Sequence, residues 1–219
     1  MLAIGYKQIS QEPHSNALQA FNVAKPAPAG HDLLVEICAI AVNPVDTKIR
    51  KSVEPAAEGF KILGWDAVGI VRDAGSLATA FKPGDRVYYA GDVSRQGCNA
   101  QFQLVDERIV GRAPASLSDA EAAALPLTTI TAWELLFDRL QVSRETGTEA
   151  NNNETLLVVG AAGGVGSILI QLARQLTSLT IVATASRDES QQWAKKMGAH
   201  HVIDHSNPVD EEMEKAMKE

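Results

Sequence analysis

The chain has 219 residues, 45% of them hydrophobic and 21% charged, with a formal net charge of −7. That length holds one large domain or two small ones, and the composition is that of a globular protein. The acidic balance and the lack of any Lys/Arg run argue against a nucleic-acid partner, and no stretch reaches the ~20 apolar residues that a bilayer span needs.

In chain order, the opening MLAIGYKQ reads as a strand and lacks the long apolar core of a signal peptide, so a cytoplasmic location is expected. Residues 33–42, 67–73, 85–89 and 100–106 are further strand candidates. Turn signals separate them: Pro28-Ala29-Gly30, Asp73-Ala74-Gly75 and Lys82-Pro83-Gly84-Asp85. Short strands with frequent turns predict a barrel-like or sandwich unit. The chain has two cysteines, Cys38 and Cys98, without metal-ligand spacing. Cys38 lies in an apolar run and is expected in the core. Cys98, in the loop Gly97-Cys98-Asn99, is a candidate exposed thiol with nothing nearby to activate it.

The pattern changes near Ser116. Ser118-Asp119-Ala120-Glu121 is a capping box, opening a short helix to Leu125. Pro126 breaks it, and a second helix is expected over 127–140, followed by a polar surface loop over 143–154. Strand and helix then alternate: strands at 155–160, 179–184 and 200–203, helices at 164–177, 188–197 and 209–217. This is the first half of a doubly wound parallel sheet.

The most informative stretch is TLLVVGAAGGVG, residues 155–166. Leu156, Leu157, Val158 and Val159 suggest a strand buried on both faces, as in parallel sheets. Gly160, Gly163 and Gly166 then open a helix, in the spacing GxxGxxG rather than GxGxxG. Strand, glycine turn and helix make a dinucleotide-binding crevice. The first glycine turns the chain, the second admits a pyrophosphate close to the backbone, and the third packs helix against strand. Free N–H groups at the helix start face the phosphates. After the second strand the chain reads Ala185-Ser186-Arg187-Asp188. A carboxylate at the strand end would repel a 2′-phosphate, whereas a hydroxyl and a guanidinium would bind it, which favours NADPH over NADH. Ser186 with Glu189 also reads as a capping box, and both roles stay open for Ser186.

The segments AVNPVDTKIR (41–50), ILGWDAVGIV (62–71), FKPGDRVYYAG (81–91), AEAAALPLTTITAWELL (120–136), GAAGGVGSILIQLA (160–173) and GAHHVIDH (198–205) occur in one order. In them the chain resembles the medium-chain dehydrogenase/reductase superfamily, in its quinone-oxidoreductase-like branch, and most of all the bacterial zinc-type alcohol dehydrogenase-like group. The resemblance implies an α/β plus β architecture. It places a GroES-like β-barrel domain at residues 1–125 and an incomplete Rossmann domain, with the first three strands, at 126–219. It implies hydride transfer from NADPH to a small-molecule quinone, activated carbonyl or enone.

Carried over by residue, Asn43 and Asp46 match the segment lining the nicotinamide side of the cleft, and Thr131 a threonine near the nicotinamide. Gly163, Gly164 and Val165 match the pyrophosphate turn, and Ser186 and Arg187 the adenosine-phosphate site. Ser190 stands where relatives often carry a phosphate-binding lysine, and His205 where some place a tyrosine. From the residues themselves, Asn43-Pro44 also reads as an N-cap with proline at N1, and Asp46 as a first-turn carboxylate. Thr131 also reads as mid-helix packing, and His205 as a surface histidine. Tyr88, Tyr89 and Trp65 are candidates for a flat-ring pocket or plain core. No general acid is identified.

No metal is expected. Where zinc-dependent relatives place a cysteine and then a histidine, this chain has Asn43-Pro44-Val45 and Trp65, and two cysteines cannot form a four-cysteine site. Without a Lewis acid, plain alcohol oxidation is disfavoured. The resemblance also implies a longer fold, with strands four to six beside strand one, so that strand 156–159 here is expected to be an exposed apolar edge. A fragment of a longer enzyme, a truncated and inert nucleotide-binding or interaction protein, and a homodimer completing the sheet all stay open.

Overall fold

The computed structural model describes residues 1–9, 18–55, 59–144 and 154–216. The chain divides into two units, Met1–Leu127 and Thr128–Glu219.

The first unit is built on strands β1 (Leu2–Tyr6), β2 (Gln19–Asn22), β3 (Asp32–Ile40), β4 (Lys61–Ile62), β5 (Ala67–Ala74), β6 (Arg86–Tyr89), β7 (Phe102–Asp106) and β8 (Gly111–Arg112), with helices α1 (Pro44–Ser52) and α2 (Asp119–Ala123). All pairings are antiparallel, in a sheet ordered β2-β1-β4 and another ordered β7-β3-β5-β6-β8. Each strand candidate read from the early sequence is present with ends shifted by one or two residues, β5 running one residue longer than expected, and β2, β4 and β8 are short strands that the sequence reading did not name. Leu33, Val35, Ala67, Val71, Val87 and Val105 fill the interior of the larger sheet. Complete burial of a Val or Leu side chain stabilises by about 1.5–3 kcal/mol.

The two cysteines exchange their expected places. Cys38 is exposed and Cys98 is buried. The register of β3 on β5 slips between Ile37, which pairs with Gly69, and Ala39, which pairs with Val68. Cys38 is the extra residue of this bulge, and its apolar neighbours in sequence do not share its environment. Cys98 lies in a loop that folds under the sheet: its N–H donates to Gly64 O, and its thiol donates to Asp66 O. Burial pushes that thiol up to about 12. Trp65 and Tyr89 are core residues, 1% and 2% exposed, with Trp65 Nε1 donating to Asp92 O and Tyr89 OH to Gln103 Oε1. Tyr88 is half-buried.

The capping box that opens α2 forms as read: Ser118 N donates to Glu121 Oε2 at 2.9 Å and Glu121 N to Ser118 Oγ at 3.3 Å. Helix α3 (Pro126–Trp133) begins on Pro126 itself, in the first helical position where a missing N–H costs nothing. Its continuation, Glu134–Arg139, widens to π-helical geometry, with Leu140 N donating to Leu135 O, and Gln141 at φ 54 ends it in the left-handed region.

The second unit carries β9 (Thr155–Val158), α4 (Gly164–Leu176), β10 (Thr180–Thr184), α5 (Asp188–Met197), β11 (His201–Ile203) and α6 (Val209–Ala216). The strands are parallel in the order β11-β10-β9, the 3-2-1 half of a doubly wound sheet. The expected loop at 143–154 lies mostly outside the described residues, as does the last residue of the expected final helix.

Burial separates the strands. In central β10, Ile181, Val182 and Ala183 are fully buried. In β9 only Val158 is buried, while Leu157 is 37% exposed and Val159, just beyond the strand, 77%. The expectation of a strand buried on both faces therefore fails for β9. Among the described residues it pairs with β10 alone, so its outer side is the apolar edge also foreseen from the sequence.

Candidate functional site

In a parallel sheet all carboxyl ends lie along one edge, where ligands of such folds bind. Here β9 runs into Gly160, β10 into Ser186 and Arg187, and β11 into Asp204 and His205. The ends are level, since Val158 pairs with Ala183 and Thr184 with Ile203. The sheet therefore brings the glycine turn, Ser186, Arg187 and His205 to the same edge.

Gly160 turns the chain at φ 68, a left-handed conformation that a β-carbon would strain. Its N–H donates to Thr184 Oγ1 at 3.2 Å, which ties the turn to the end of β10. Its carbonyl accepts from Gly163 N at 2.9 Å. Gly163 is the N-cap of α4, so no side chain caps the helix. The first amides of α4, from Gly164 and Val165 on, have no acceptor within the helix. A β-carbon on Gly166 would lie 2.7 Å from Ala161 Cα and 2.7 Å from Gly160 O, so only glycine lets α4 sit this close to the turn. Exposed Gly163 and Gly164 leave that backbone open. A narrow turn whose amides no side chain caps, with the Thr128 methyl beside Gly164, fits a pyrophosphate.

Ser186 does not form its expected capping box. The backbone stays extended at Arg187 (φ −105, ψ 140), so Arg187 is the N-cap of α5, and Ser190 rather than Glu189 takes the third helical position. Ser186 and Arg187 are both exposed, and no side-chain hydrogen bond or ion pair engages either among the described residues. Ser190, where the resemblance raises a lysine, is half-buried on α5, and His205 is exposed. Thr131 is half-buried on α3.

In the first unit the site residues form a buried polar network. Asn43 is the N-cap of α1, with Pro44 behind it and Asp46 in the third position. Asp46, 5% exposed, accepts from Asn43 N at 2.7 Å through Oδ2 and from Gly64 N at 2.9 Å through Oδ1. Asn43 Nδ2 donates to Asp66 Oδ2 at 2.9 Å. Asp66 Oδ1 accepts from Leu127 N, also at 2.9 Å. Asp66 is 1% exposed. Burial raises its carboxyl to about 6 and the Asp46 charge adds to this, against the opposing hydrogen bonds from Asn43 and Leu127. The N-cap and first-turn roles read for Asn43 and Asp46 are thus present in the fold.

Asp66 escaped the sequence reading. The signal was there: one carboxylate inside the apolar run ILGWDAVGIV, and a buried charged group among apolar neighbours is the informative exception.

These residues do not fit a catalytic zinc. Trp65 offers no lone pair, Asn43 is committed to Asp66, and the Cys98 thiol is held protonated and donates to a carbonyl. Among the described residues no three His, Cys, Asp or Glu side chains converge.

Two family models match the chain. Residues 29–119 match the alcohol dehydrogenase GroES-like domain, and residues 164–219 match the zinc-binding dehydrogenase domain. The chain is 42% identical over 209 residues to a zinc-type alcohol dehydrogenase-like protein of Staphylococcus aureus (strain COL), covering 95% of this chain and 61% of that protein. Among solved structures, it resembles a Rhizobium etli CFN 42 protein provisionally described as a zinc-dependent alcohol dehydrogenase, at 54% identity and TM-score 0.90, covering 98% of this chain and 62% of that one. It also resembles Escherichia coli quinone oxidoreductase complexed with NADPH, at 29% identity and TM-score 0.78, covering 100% of this chain and 63% of that one.

The chain belongs to the medium-chain dehydrogenase/reductase superfamily. Its first unit is the GroES-like domain, and its second is a partial Rossmann domain. It spans about three fifths of the length of the relatives it matches.

Proposed function

We propose that this chain is the NADPH-binding part of a zinc-independent oxidoreductase that passes hydride to a quinone, activated carbonyl or enone. One observation carries the reading: the carboxyl edge of the parallel sheet collects an open glycine turn, an unengaged hydroxyl and an unengaged guanidinium. In this reading Gly160, Gly163, Gly164, Val165 and Gly166 hold the pyrophosphate through backbone amides. Ser186 and Arg187 bind the 2′-phosphate, the latter by charge-assisted hydrogen bonds, with His205 beside it. Asn43, Asp46 and Thr131 serve the nicotinamide.

The cofactor, when bound, supplies the hydride, and the protein supplies position and electrostatics. Quinones and enones suit a site without a Lewis acid, because the charge developing on them is delocalised or met by solvent protonation. The support for zinc independence is the donor set, in which Asn43 and Trp65 stand where zinc-dependent relatives place ligands. The cytoplasm is the compartment this reading carries, and a second copy of the chain pairing along β9 is the alternative to a sheet completed by the rest of a longer chain.

Calorimetry with NADPH and NADH tests the cofactor assignment, and NADPH oxidation against a quinone panel tests the reaction. Tight NADPH with turnover bears the reading out. NADPH binding without turnover makes the chain a nucleotide-binding module, and no binding of either nucleotide removes the reading. Light scattering on dilute protein tests the assembly, which a monodisperse monomer would exclude.

A further inference from the structure

We propose that Asp66 is a positioning residue: clamped by the Leu127 N–H on one side, its carboxylate fixes which end of the Asn43 amide faces the start of α1. It thereby sets the polar groups that this segment offers to the nicotinamide half of the dinucleotide. The inference rests on the role given to Asn43 above.

Donors and acceptors decide the orientation of the Asn43 amide. A backbone N–H can only donate, so Asp66 Oδ1 must accept from Leu127 at 2.9 Å in every state. Any proton taken up by Asp66 therefore goes to Oδ2, the oxygen that accepts from Asn43 Nδ2 at 2.9 Å. The Asn43 side chain can answer either way, since an amide offers a carbonyl at one end and an NH₂ at the other. Against a carboxylate it must present NH₂ to Asp66, which leaves its oxygen on the side of the α1 first turn; no side-chain cap hydrogen bond holds it there, and the Asp46 N–H donates instead to the main-chain carbonyl of Asn43 at 3.0 Å. Against a protonated Oδ2 it must present the oxygen to Asp66. The NH₂ then faces the α1 amides, donor against donor.

The surroundings bring this turnover within reach. The groups facing Asp66 are the Asp46 carboxylate from α1, the Asn43 amide, the Leu127 N–H from α3, and the Cys98 thiol on its own carbonyl. No Lys, Arg or His forms an ion pair with it among the described residues. Burial, with Asp46 as a like charge, raises the carboxyl to about 6. The carboxylate clamp therefore holds at neutral pH and reverses below that value.

The test is side-chain amide NMR of Asn43 in the full chain between about pH 5 and pH 8, with NADPH affinity measured alongside. In the wild type the Asn43 Nδ2 resonances move in one step near pH 6, and NADPH affinity falls about five- to tenfold across it, the loss of one hydrogen bond. Asp66→Asn must accept from Leu127 with its oxygen and so presents NH₂ to Asn43. Its Asn43 resonances stand at the low-pH position throughout and do not titrate. An Asn43 amide that ignores both pH and the substitution overturns the clamp, and the wild-type titration decides this even if the variant does not fold. An amide that turns over while NADPH affinity stays constant overturns the positioning role. No NADPH binding at any pH defeats the cofactor reading instead, with the amide titration still deciding the clamp.

Discussion

In the Met1–Leu127 unit the polar groups of the proposed site are spent on one another, whereas in the Thr128–Glu219 unit they stand open along a sheet edge. Asn43, Asp46 and Asp66 bury two carboxylates and satisfy them with an amide and backbone N–H groups. Ser186, Arg187 and His205 are exposed, and the two former make no side-chain bond among the described residues. The first arrangement is preorganised, so its geometry is fixed before any ligand arrives. The second must order long side chains on binding, and its gain is correspondingly sensitive to whether a phosphate is there to receive it.

The largest effect that would break this comparison is expected at Gly166. Gly166→Val forces a branched side chain where a β-carbon alone would lie 2.7 Å from backbone. A cost of about 3 kcal/mol or more in urea unfolding is expected, with loss of NADPH binding. A variant that keeps both would show that α4 need not sit so close to the turn.

Next comes the pH dependence of stability. The Asp66 carboxyl is raised to about 6 from an ordinary 3.8, so the folded protein binds a proton there that the unfolded chain has released. Its contribution is fully present below the ordinary value and is lost as pH rises through about 6, by about 3 kcal/mol at most. Asp92 and Asp204, held down by bonds from Ser94 and Ser206, act in the opposite sense and at lower pH. Denaturant titrations of wild type and Asp66→Asn between about pH 4 and pH 7 should differ in slope by this one group. Parallel profiles would mean that Asp66 is not buried as a carboxylate.

Arg187→Ala sharpens the open half of the comparison. NADPH affinity should fall about 10- to 100-fold while NADH affinity is unchanged, read by calorimetry. Equal losses for both would remove the 2′-phosphate assignment. The smallest effect contrasts two apparent capping boxes. Glu121→Ala removes a carboxylate that accepts from Ser118 N and Oγ, and should cost about 1 kcal/mol. Glu189→Ala removes no cap, because α5 starts a residue late, and should cost about 0.5 kcal/mol or less.

That last pair shows where the sequence stops being legible. Ser118 and Ser186 precede the same kind of residue at the same spacing, yet only one box forms. The box at α2 needs only local backbone geometry. At α5 the backbone must first leave the buried end of β10, and it stays extended one residue longer. The cysteines teach the same point, since a bulge in β3 exposes the one set among apolar neighbours and a folded-under loop buries the other.

Sequence by itself determined the alternating strands and helices of the second unit, five strands of the first (β1, β3, β5, β6 and β7), the glycine turn with its helix start, and the order of a β-rich part before an α/β part. Those depend on periodicity, turn chemistry and spacing within short windows. The tertiary structure alone decided that Leu157 is exposed while Ile181 is not, and that Asp66 meets both Asn43 and Leu127. Strand burial depends on how many neighbours a strand has, and a buried carboxylate depends on partners 23 and 61 residues away. Neither is written in any local stretch of the chain.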